Sequence, residues 1–225
     1  MPTDLELDGI CLVGDGAHAA GVGADALVLV DGSEHERRRS AGLGGVTSLG
    51  LIDALMNLPL RTPVRRCDLD PATVRRLAGA PEAVVSCDDG WVTRLLTPPL
   101  TVVAVVVRRG SWQESSRRTW PFAAFAQCIV LLDRMPTRSS EFLWEAQLSG
   151  VGVWVKSHGE VRELLSPEPF TRHYWKPAGW RFSERAYRAK ITSSALPDSS
   201  HAFEDRPART APEGCGLLPR VPPDW

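Results

Sequence analysis

The run TVVAVVV, residues 101–107, has no polar residue after its first position and shows no alternation of apolar and polar side chains. Valine favours extended backbone because branching at Cβ restricts its side-chain rotamers. A continuous apolar strand is typical of the interior of a sheet that is covered on both faces. The run therefore predicts the central strand of an α/β fold.

The segments after this run alternate between helix and strand. In order, we predict a helix broken at Pro121 (108–126), a strand (127–133), a helix (139–150), a strand (151–155), a short strand or turn (160–166) and a last helix (182–191). A strand–helix–strand succession favours parallel pairing through helical crossovers. We therefore expect a central mixed or parallel sheet that is flanked by helices.

The ends of the chain have a different composition from the centre. Near the N-terminus, apolar strands are predicted at 9–14 and 26–32 around a small-residue turn, and the charged segment 33–45 is predicted to be an exposed loop. From residue 192 onward the chain is rich in Pro, Ser and charge, which predicts disorder. The expected division is an N-terminal segment (1–47), a second segment (48–96), a core (97–191) and a tail (192–225).

Composition excludes several classes of protein. A formal net charge of −1 gives no overall attraction to DNA or to an anionic membrane, so any DNA contact must come from a local patch. The five cysteines lack metal-ligand spacing, which indicates reduced thiols and no metal site. No segment has the pattern of a signal peptide or the ~20 apolar residues of a membrane span. We expect a cytoplasmic protein with no membrane partner.

The order of VVAVVVRRGSW (102–112), QCIVLLDRMP and SSEFLWEAQLSGVGVWV resembles the second half of the PD-(D/E)XK nuclease-type fold. In that family a buried strand carries E-x-K, a helix follows, and the next strand ends in a short turn that contains proline. Aligned on Trp112, the glutamate position falls on Val106 and the lysine position on Arg108. The resemblance implies a restriction-endonuclease-like core over residues 83–165.

The two changed positions imply that this core is not catalytic. The carboxylates of such nucleases hold Mg²⁺, which neutralises charge on the phosphate and orients water. Valine cannot ligate a metal, and arginine stays protonated and cannot act as a base. No convincing partner aspartate stands on a preceding strand, because Asp88 and Asp89 fall in a predicted turn. We expect no catalytic residue, no metal and no cofactor.

A second pattern lies between residues 48 and 96. The predicted order is a helix (48–58), a short helix (62–67), a helix (71–78) and a hairpin (83–96), as in a winged helix. Residues 61–69 also fit a strand, so both interpretations stay open. The predicted DNA contacts are Arg65, Arg66, Thr73, Arg75 and Arg76, with a second basic cluster at Arg108, Arg109, Arg117 and Arg118. The leading hypothesis is a non-catalytic DNA-associated or regulatory protein.

Two other functions compete with this hypothesis. Gly14 and Gly16 follow a strand and Asp31 ends the next one, which approximates a dinucleotide fingerprint and loosely resembles the start of an E1-like adenylating fold. This alternative predicts a bound nucleotide, although the glycines stand too close to the next strand for a crossover helix. The other alternative is a scaffold that binds a protein partner through the Trp-rich C-terminal region.

Overall fold

The computed structural model describes residues 10–19, 22–108, 110–135, 139–157 and 160–195. The elements in order are β1 (Ile10–Ala19), β2 (Val22–Val30), α1 (Gly32–Ser40), α2 (Leu49–Met56), β3 (Pro63–Arg65), a 3₁₀ turn (Arg66–Asp68), α3 (Pro71–Leu77), β4 (Val85–Asp88), β5 (Trp91–Arg94), β6 (Leu100–Val107), α4 (Trp112–Thr119), β7 (Gln127–Leu132), α5 (Ser139–Leu148), β8 (Gly152–Ser157), β9 (Glu160–Leu165) and α6 (Pro177–Ala195). The strands form a six-stranded and a three-stranded sheet.

The larger sheet has the strand order β1-β2-β6-β7-β8-β9. Its strands β6, β7 and β8 are parallel, and α4 and α5 make the crossovers between them. The pairs β1–β2, β2–β6 and β8–β9 are antiparallel. The predicted fold class, a mixed sheet flanked by helices, is confirmed.

Both faces of β6 are buried, which explains why its sequence does not alternate. Val105 and Val107 pack in a large cluster with helical side chains that include Trp112 and Phe182. Because successive side chains of a strand point to opposite faces, Val106 lies in a smaller cluster on the other side of the sheet. The apolar run is therefore the centre of the fold.

The smaller sheet has the strand order β3-β5-β4 and packs with α2 and α3 around a separate apolar cluster. The β4–β5 hairpin turns at Asp89 and Gly90, whose φ angles of 41° and 83° suit the predicted Asp-Gly turn. The side chains of Ser48 and Asp70 accept N-cap hydrogen bonds at the starts of α2 and α3, as their positions in the sequence predict.

The helix α6 belongs to both clusters. Trp180 is buried in the cluster of the smaller sheet, where the guanidinium of Arg94 lies 4.7 Å from its ring. Phe182 and Tyr187 pack in the cluster of the larger sheet. The two sheets therefore share one helix as part of their cores.

The structure changes several of the predicted boundaries. Most of segment 33–45, predicted as an exposed loop, is the helix α1, because its charges are paired inside the fold. Residues 61–69, which the sequence left open between a short helix and a strand, contain β3 and the 3₁₀ turn, because Pro63 and Arg65 pair with β5. The last helix starts at Pro177, a favourable first position, and includes residues 192–195 of the predicted tail. The rest of that tail lies outside the described residues.

Candidate nucleic-acid interface

A shallow groove of about 680 Å³ lies where the 3₁₀ turn, α3 and the β4–β5 hairpin meet. Its walls contain Arg66, Cys67, Leu69, Pro71, Val74, Arg75 and Gly90. The backbone N–H of Arg66 donates to the carbonyl of Gly90 at 2.8 Å, which fixes the tip of the hairpin beside the 3₁₀ turn. The structure thus brings two predicted contacts, the exposed Arg66 and Arg75, to one surface.

Arg65 stands next to this groove at the end of β3. It pairs in register with Trp91 of β5, and its guanidinium lies 5.4 Å from the centre of the Trp91 ring. Stacking on an indole orients a guanidinium without consuming its hydrogen-bond donors. Within the described chain, neither Arg65, Arg66 nor Arg75 forms an ion pair with a carboxylate.

Acidic residues moderate the positive potential of the groove. Asp68 belongs to the 3₁₀ turn, Asp88 ends β4 and Asp89 forms the hairpin turn, and all three are exposed. Exposed charges of opposite sign weaken each other's field over a distance of about 10 Å at 0.1 M salt. The groove therefore attracts an anionic polymer less strongly than its arginines would without these aspartates.

Two predicted contacts on α3 are engaged elsewhere. Thr73 is buried, and its side chain donates the hydrogen bond that contributes most to lowering the pKa of Asp70. It cannot reach a base edge, because its position on α3 faces the protein core. Arg76 forms an ion pair with Asp53 of α2 at 2.8 Å. Of the α3 residues that we predicted to read bases, Arg75 is the one that the fold leaves unengaged.

The second predicted basic cluster is not a single patch of unpaired charges. Arg118 forms an ion pair with Glu114 of its own helix at 3.0 Å. Arg117 is exposed and lines a different cleft, between α4 and α5. Arg109 lies outside the described residues. Since α4 is separate from α3 in the fold, these residues add no charge to the groove at the hairpin.

Arg108 contacts a carboxylate that the sequence analysis missed. Asp25 is buried on β2, in register with Val106 of β6, and its carboxylate lies 2.6 Å from the guanidinium of Arg108. The expectation that no preceding strand carries a partner aspartate is therefore wrong. The sequence signal for this contact is the single acid in the otherwise apolar strand VGADALVLV. In the sequence analysis, Asp25 was assigned to a turn between two strands, so this acid was not considered as a partner.

The chemistry at Asp25 does not favour a bound metal. Val106 offers no oxygen ligand, and the guanidinium of Arg108 already neutralises the carboxylate. In the described part of the chain, no three His, Cys, Asp or Glu side chains are grouped as metal ligands would be. Hard cations such as Mg²⁺ need several oxygen ligands.

The geometry of a dinucleotide site is not formed at the predicted residues. Gly14 and Gly16 lie inside β1, and β1 pairs antiparallel with β2, so the glycines do not precede a helix N-terminus. Asp31 instead caps α1. It accepts hydrogen bonds from the Ser33 hydroxyl at 2.7 Å and the Glu34 N–H at 3.0 Å, which lower its pKa in that order. The predicted dinucleotide fingerprint is therefore not formed at Gly14, Gly16 and Asp31.

Cys128 is the buried thiol at the start of β7. Burial raises the pKa of this thiol to about 11. The thiolate is the reactive form of cysteine, so Cys128 is protonated and inert near neutral pH. Its place in the core is that of a small apolar residue.

Comparisons with known proteins assign no relatives to this chain. No family model, curated protein or solved structure matches it. None of the helices in the described residues has the combination of length and apolar character that crossing a bilayer requires. The argument for function therefore depends on the contacts of the residues themselves.

Proposed function

We propose that the protein associates with DNA through Arg65, Arg66 and Arg75 and catalyses no reaction on it. The observation that carries the proposal is that Arg66 and Arg75 converge on one groove without a carboxylate partner in the described chain. A guanidinium stays charged at physiological pH and can give a phosphate two parallel hydrogen bonds. The groove therefore suits a phosphodiester backbone.

The order of elements around the groove supports duplex DNA as the polyanion. The helices α2 and α3 and the β4–β5 hairpin keep part of the order of a winged helix, although β3 and the 3₁₀ turn stand where that order predicts a short helix. In that arrangement a helix enters the major groove while neighbouring cations contact phosphates. Arg75 on α3 is the candidate for contacts in the major groove of DNA, and Arg65 and Arg66 are the candidates for contacts with the DNA phosphates.

The absence of catalysis is proposed from the surroundings of Asp25. In the nuclease-like alignment, Val106 and Arg108 replace the glutamate and the lysine. Arg108 places a positive charge beside Asp25 at 2.6 Å, but a guanidinium cannot activate water as a metal ion does. We expect no cleavage of duplex DNA in the presence of Mg²⁺ or Mn²⁺. Cleavage that is lost in Asp25→Asn would overturn this part of the proposal.

A salt titration of DNA binding tests the interface. Affinity for a labelled duplex is measured by fluorescence anisotropy over a series of NaCl concentrations, with the wild type and with Arg65→Ala/Arg66→Ala/Arg75→Ala. The slope of log K against log salt falls by about 0.9 for each arginine that contacts a phosphate. The triple variant should therefore bind more weakly and with a shallower slope.

Charge alone must be separated from position in this experiment. Arg39→Ala/Arg76→Ala/Arg118→Ala removes the same number of charges from arginines that are paired with Glu36, Asp53 and Glu114. Its slope should stay close to that of the wild type. Equal slopes for the two triple variants, or no binding by the wild type at low salt, would refute the proposed interface.

A further inference from the structure

The helices α4 and α5 border a cleft of about 670 Å³ over the amino ends of β7 and β8. Aromatic rings form part of its wall: Trp112 and Trp120 come from α4 and its end, and Phe170 comes from the segment after β9. Trp120 is 76% exposed. A cleft of this size is within the range of small-molecule sites, which combine apolar walls with a few placed polar groups.

The two helices are tied together at the cleft. The indole N–H of Trp112 donates to the carboxylate of Glu145 at 2.8 Å, and the ring of Trp112 packs on Phe142 of α5. Trp112 is itself almost completely buried. The wall between α4 and α5 is therefore preformed, whereas Trp120 lies exposed in the cleft lining.

An unusual negative charge lies at the carbonyl end of α5. The backbone N–H of Glu168 donates to the carbonyl of Gly150 at 2.9 Å, and its side chain packs against Gly150 so closely that a methyl group there would collide with the carboxylate. A helix carries partial negative charge at this end, so a carboxylate is unfavourable there. Within the described chain, Glu168 forms no ion pair that would offset this.

The opposite charge lines the same cleft. Arg117 is exposed on α4, and in the described residues it pairs neither with Glu168 nor with another carboxylate. Its neighbour Arg118, by contrast, pairs with Glu114. The cleft thus presents a cation, Arg117, and an anion, Glu168, that do not neutralise each other, while the other carboxylate of its lining, Glu145, accepts a hydrogen bond from Trp112.

We propose that this cleft binds a zwitterionic ligand of amino-acid or short-peptide size with an aromatic or aliphatic body. Its ammonium group is held by Glu168 and the carbonyl end of α5, and its carboxylate is held by Arg117. Its apolar body lies against Trp120 and Phe170, where an aromatic ring also favours a nearby cation. The inference does not depend on DNA binding, since it uses none of the residues of the hairpin groove.

Three small probes separate the two charges. They are L-phenylalanine, which carries both charges, phenethylamine, which carries the cation alone, and 3-phenylpropionate, which carries the anion alone. Binding is followed by the indole N–H signals in two-dimensional NMR of the whole chain, with Trp120→Phe to assign the exposed indole. We expect saturable binding of L-phenylalanine with a Kd on the order of 1 mM, and binding about tenfold weaker for each probe that lacks one charge.

Conservative variants assign each charge to its residue. Glu168→Gln should weaken L-phenylalanine and phenethylamine about tenfold and leave 3-phenylpropionate unchanged. Arg117→Gln should weaken L-phenylalanine and 3-phenylpropionate and leave phenethylamine unchanged. Glu160→Gln, at the exposed start of β9 and outside the cleft lining, is the charge-matched control and should change none of them.

Several results would overturn the inference. One is the absence of saturable shifts with all three probes. Another is equal binding of the three probes, and a third is an effect of Glu160→Gln as large as that of Glu168→Gln. Because Glu168 and Arg117 are both exposed, their glutamine variants should stay folded, which the dispersion of the same spectra verifies.

Discussion

The guanidinium of Arg38 is fully buried and donates hydrogen bonds to several acceptors at once. It contacts Glu34 at 2.8 Å, both carboxylate oxygens of Glu184 at 2.7 and 2.8 Å, and the carbonyl of Thr97 at 2.8 Å. The ring of Tyr187 lies 5.2 Å from the same guanidinium. Burying a charge is costly unless it is paired and hydrogen-bonded, and this network satisfies both conditions.

Arg38→Ala should therefore destabilise the protein strongly, by about 3–5 kcal/mol, because it leaves the Glu184 carboxylate buried without a cation, whereas Glu34 keeps its pair with Arg37. The free energy of unfolding is measured by urea denaturation. The control is Arg39→Ala, whose exposed pair with Glu36 should contribute less than about 1 kcal/mol. Equal effects of the two substitutions would contradict the role assigned to Arg38.

Gly45 is needed where the loop before α2 approaches α6. A methyl group at this position would collide with the backbone carbonyl of Glu184 and press on Arg188. Gly45→Ala should lower the free energy of unfolding by about 1–3 kcal/mol, the usual cost of overpacking. Gly79→Ala, where nothing lies within 4 Å, is the control and should be neutral or slightly stabilising. If Gly45→Ala left the free energy of unfolding unchanged, the close contact between Gly45 and the Glu184 carbonyl would be contradicted.

At the scale of elements, α1 shows how a charged segment becomes a helix. Asp31 caps its first turn, Glu34 lies in that turn, and its last turn carries three arginines, so the charges complement the helix dipole. Glu34 and Arg38 then face the core, where α6 supplies Glu184. Capping and dipole effects favour the helical conformation locally, and the buried ion pairs hold α1 against α6.

The cap of α1 makes a pH-dependent contribution to stability. The pKa of Asp31 is lowered by the hydrogen bonds from Ser33 and Glu34, so this contribution is present above its ordinary pKa of 3.8 and is lost as the pH falls through the lower folded value. Asp31→Asn keeps the cap and should remove this part of the acid sensitivity, whereas Asp31→Ala should destabilise at neutral pH as well. The midpoint of thermal unfolding is measured for the wild type and both variants between about pH 2 and pH 7, a range that includes the titration of carboxylates. Identical pH profiles for wild type and Asp31→Asn would contradict the assignment.

Elements with local signals could be predicted from the sequence, and elements held by distant partners could not. The valines of β6, the caps Ser48 and Asp70 and the turn at Gly90 each act over a few residues, and the structure confirms all of them. α1 has a local cap, but its charged face is held by Glu184, 146 residues from Arg38, and the sequence left β3 open between helix and strand until its pairing with β5 was known. The ion pair of Asp25 with Arg108 required the register of β2 on β6, which no local pattern specifies.

At the scale of the whole molecule, α6 makes the two sheets depend on each other. Trp180 fills the cluster of the smaller sheet, and Arg94 of β5 stacks on it while donating to the carbonyls of Leu55 and Leu58 at the end of α2. A few residues later, Tyr187 packs on the larger sheet. The DNA-binding segment that we propose is therefore attached rigidly to the sheet domain.

This arrangement predicts one cooperative unfolding transition for the described fold. Far-ultraviolet circular dichroism and tryptophan fluorescence should give the same urea midpoint. Trp180→Ala should lower the free energy of unfolding by about 3–5 kcal/mol and shift both signals together. Two separate midpoints in the wild type, or loss of one signal alone in Trp180→Ala, would show that the sheets fold independently.

The central claim, that unpaired arginines beside the hairpin bind DNA, is tested most directly on two adjacent residues of α3. Arg75→Ala and Arg76→Ala remove the same charge from the same helix, but Arg76 is already paired with Asp53. In fluorescence-anisotropy titrations of duplex DNA at low salt, Arg75→Ala should weaken binding and reduce the salt slope by about 0.9 if it contacts a phosphate, while Arg76→Ala should leave both near the wild-type values. An equal loss in the two variants, or no loss in Arg75→Ala, would contradict the account.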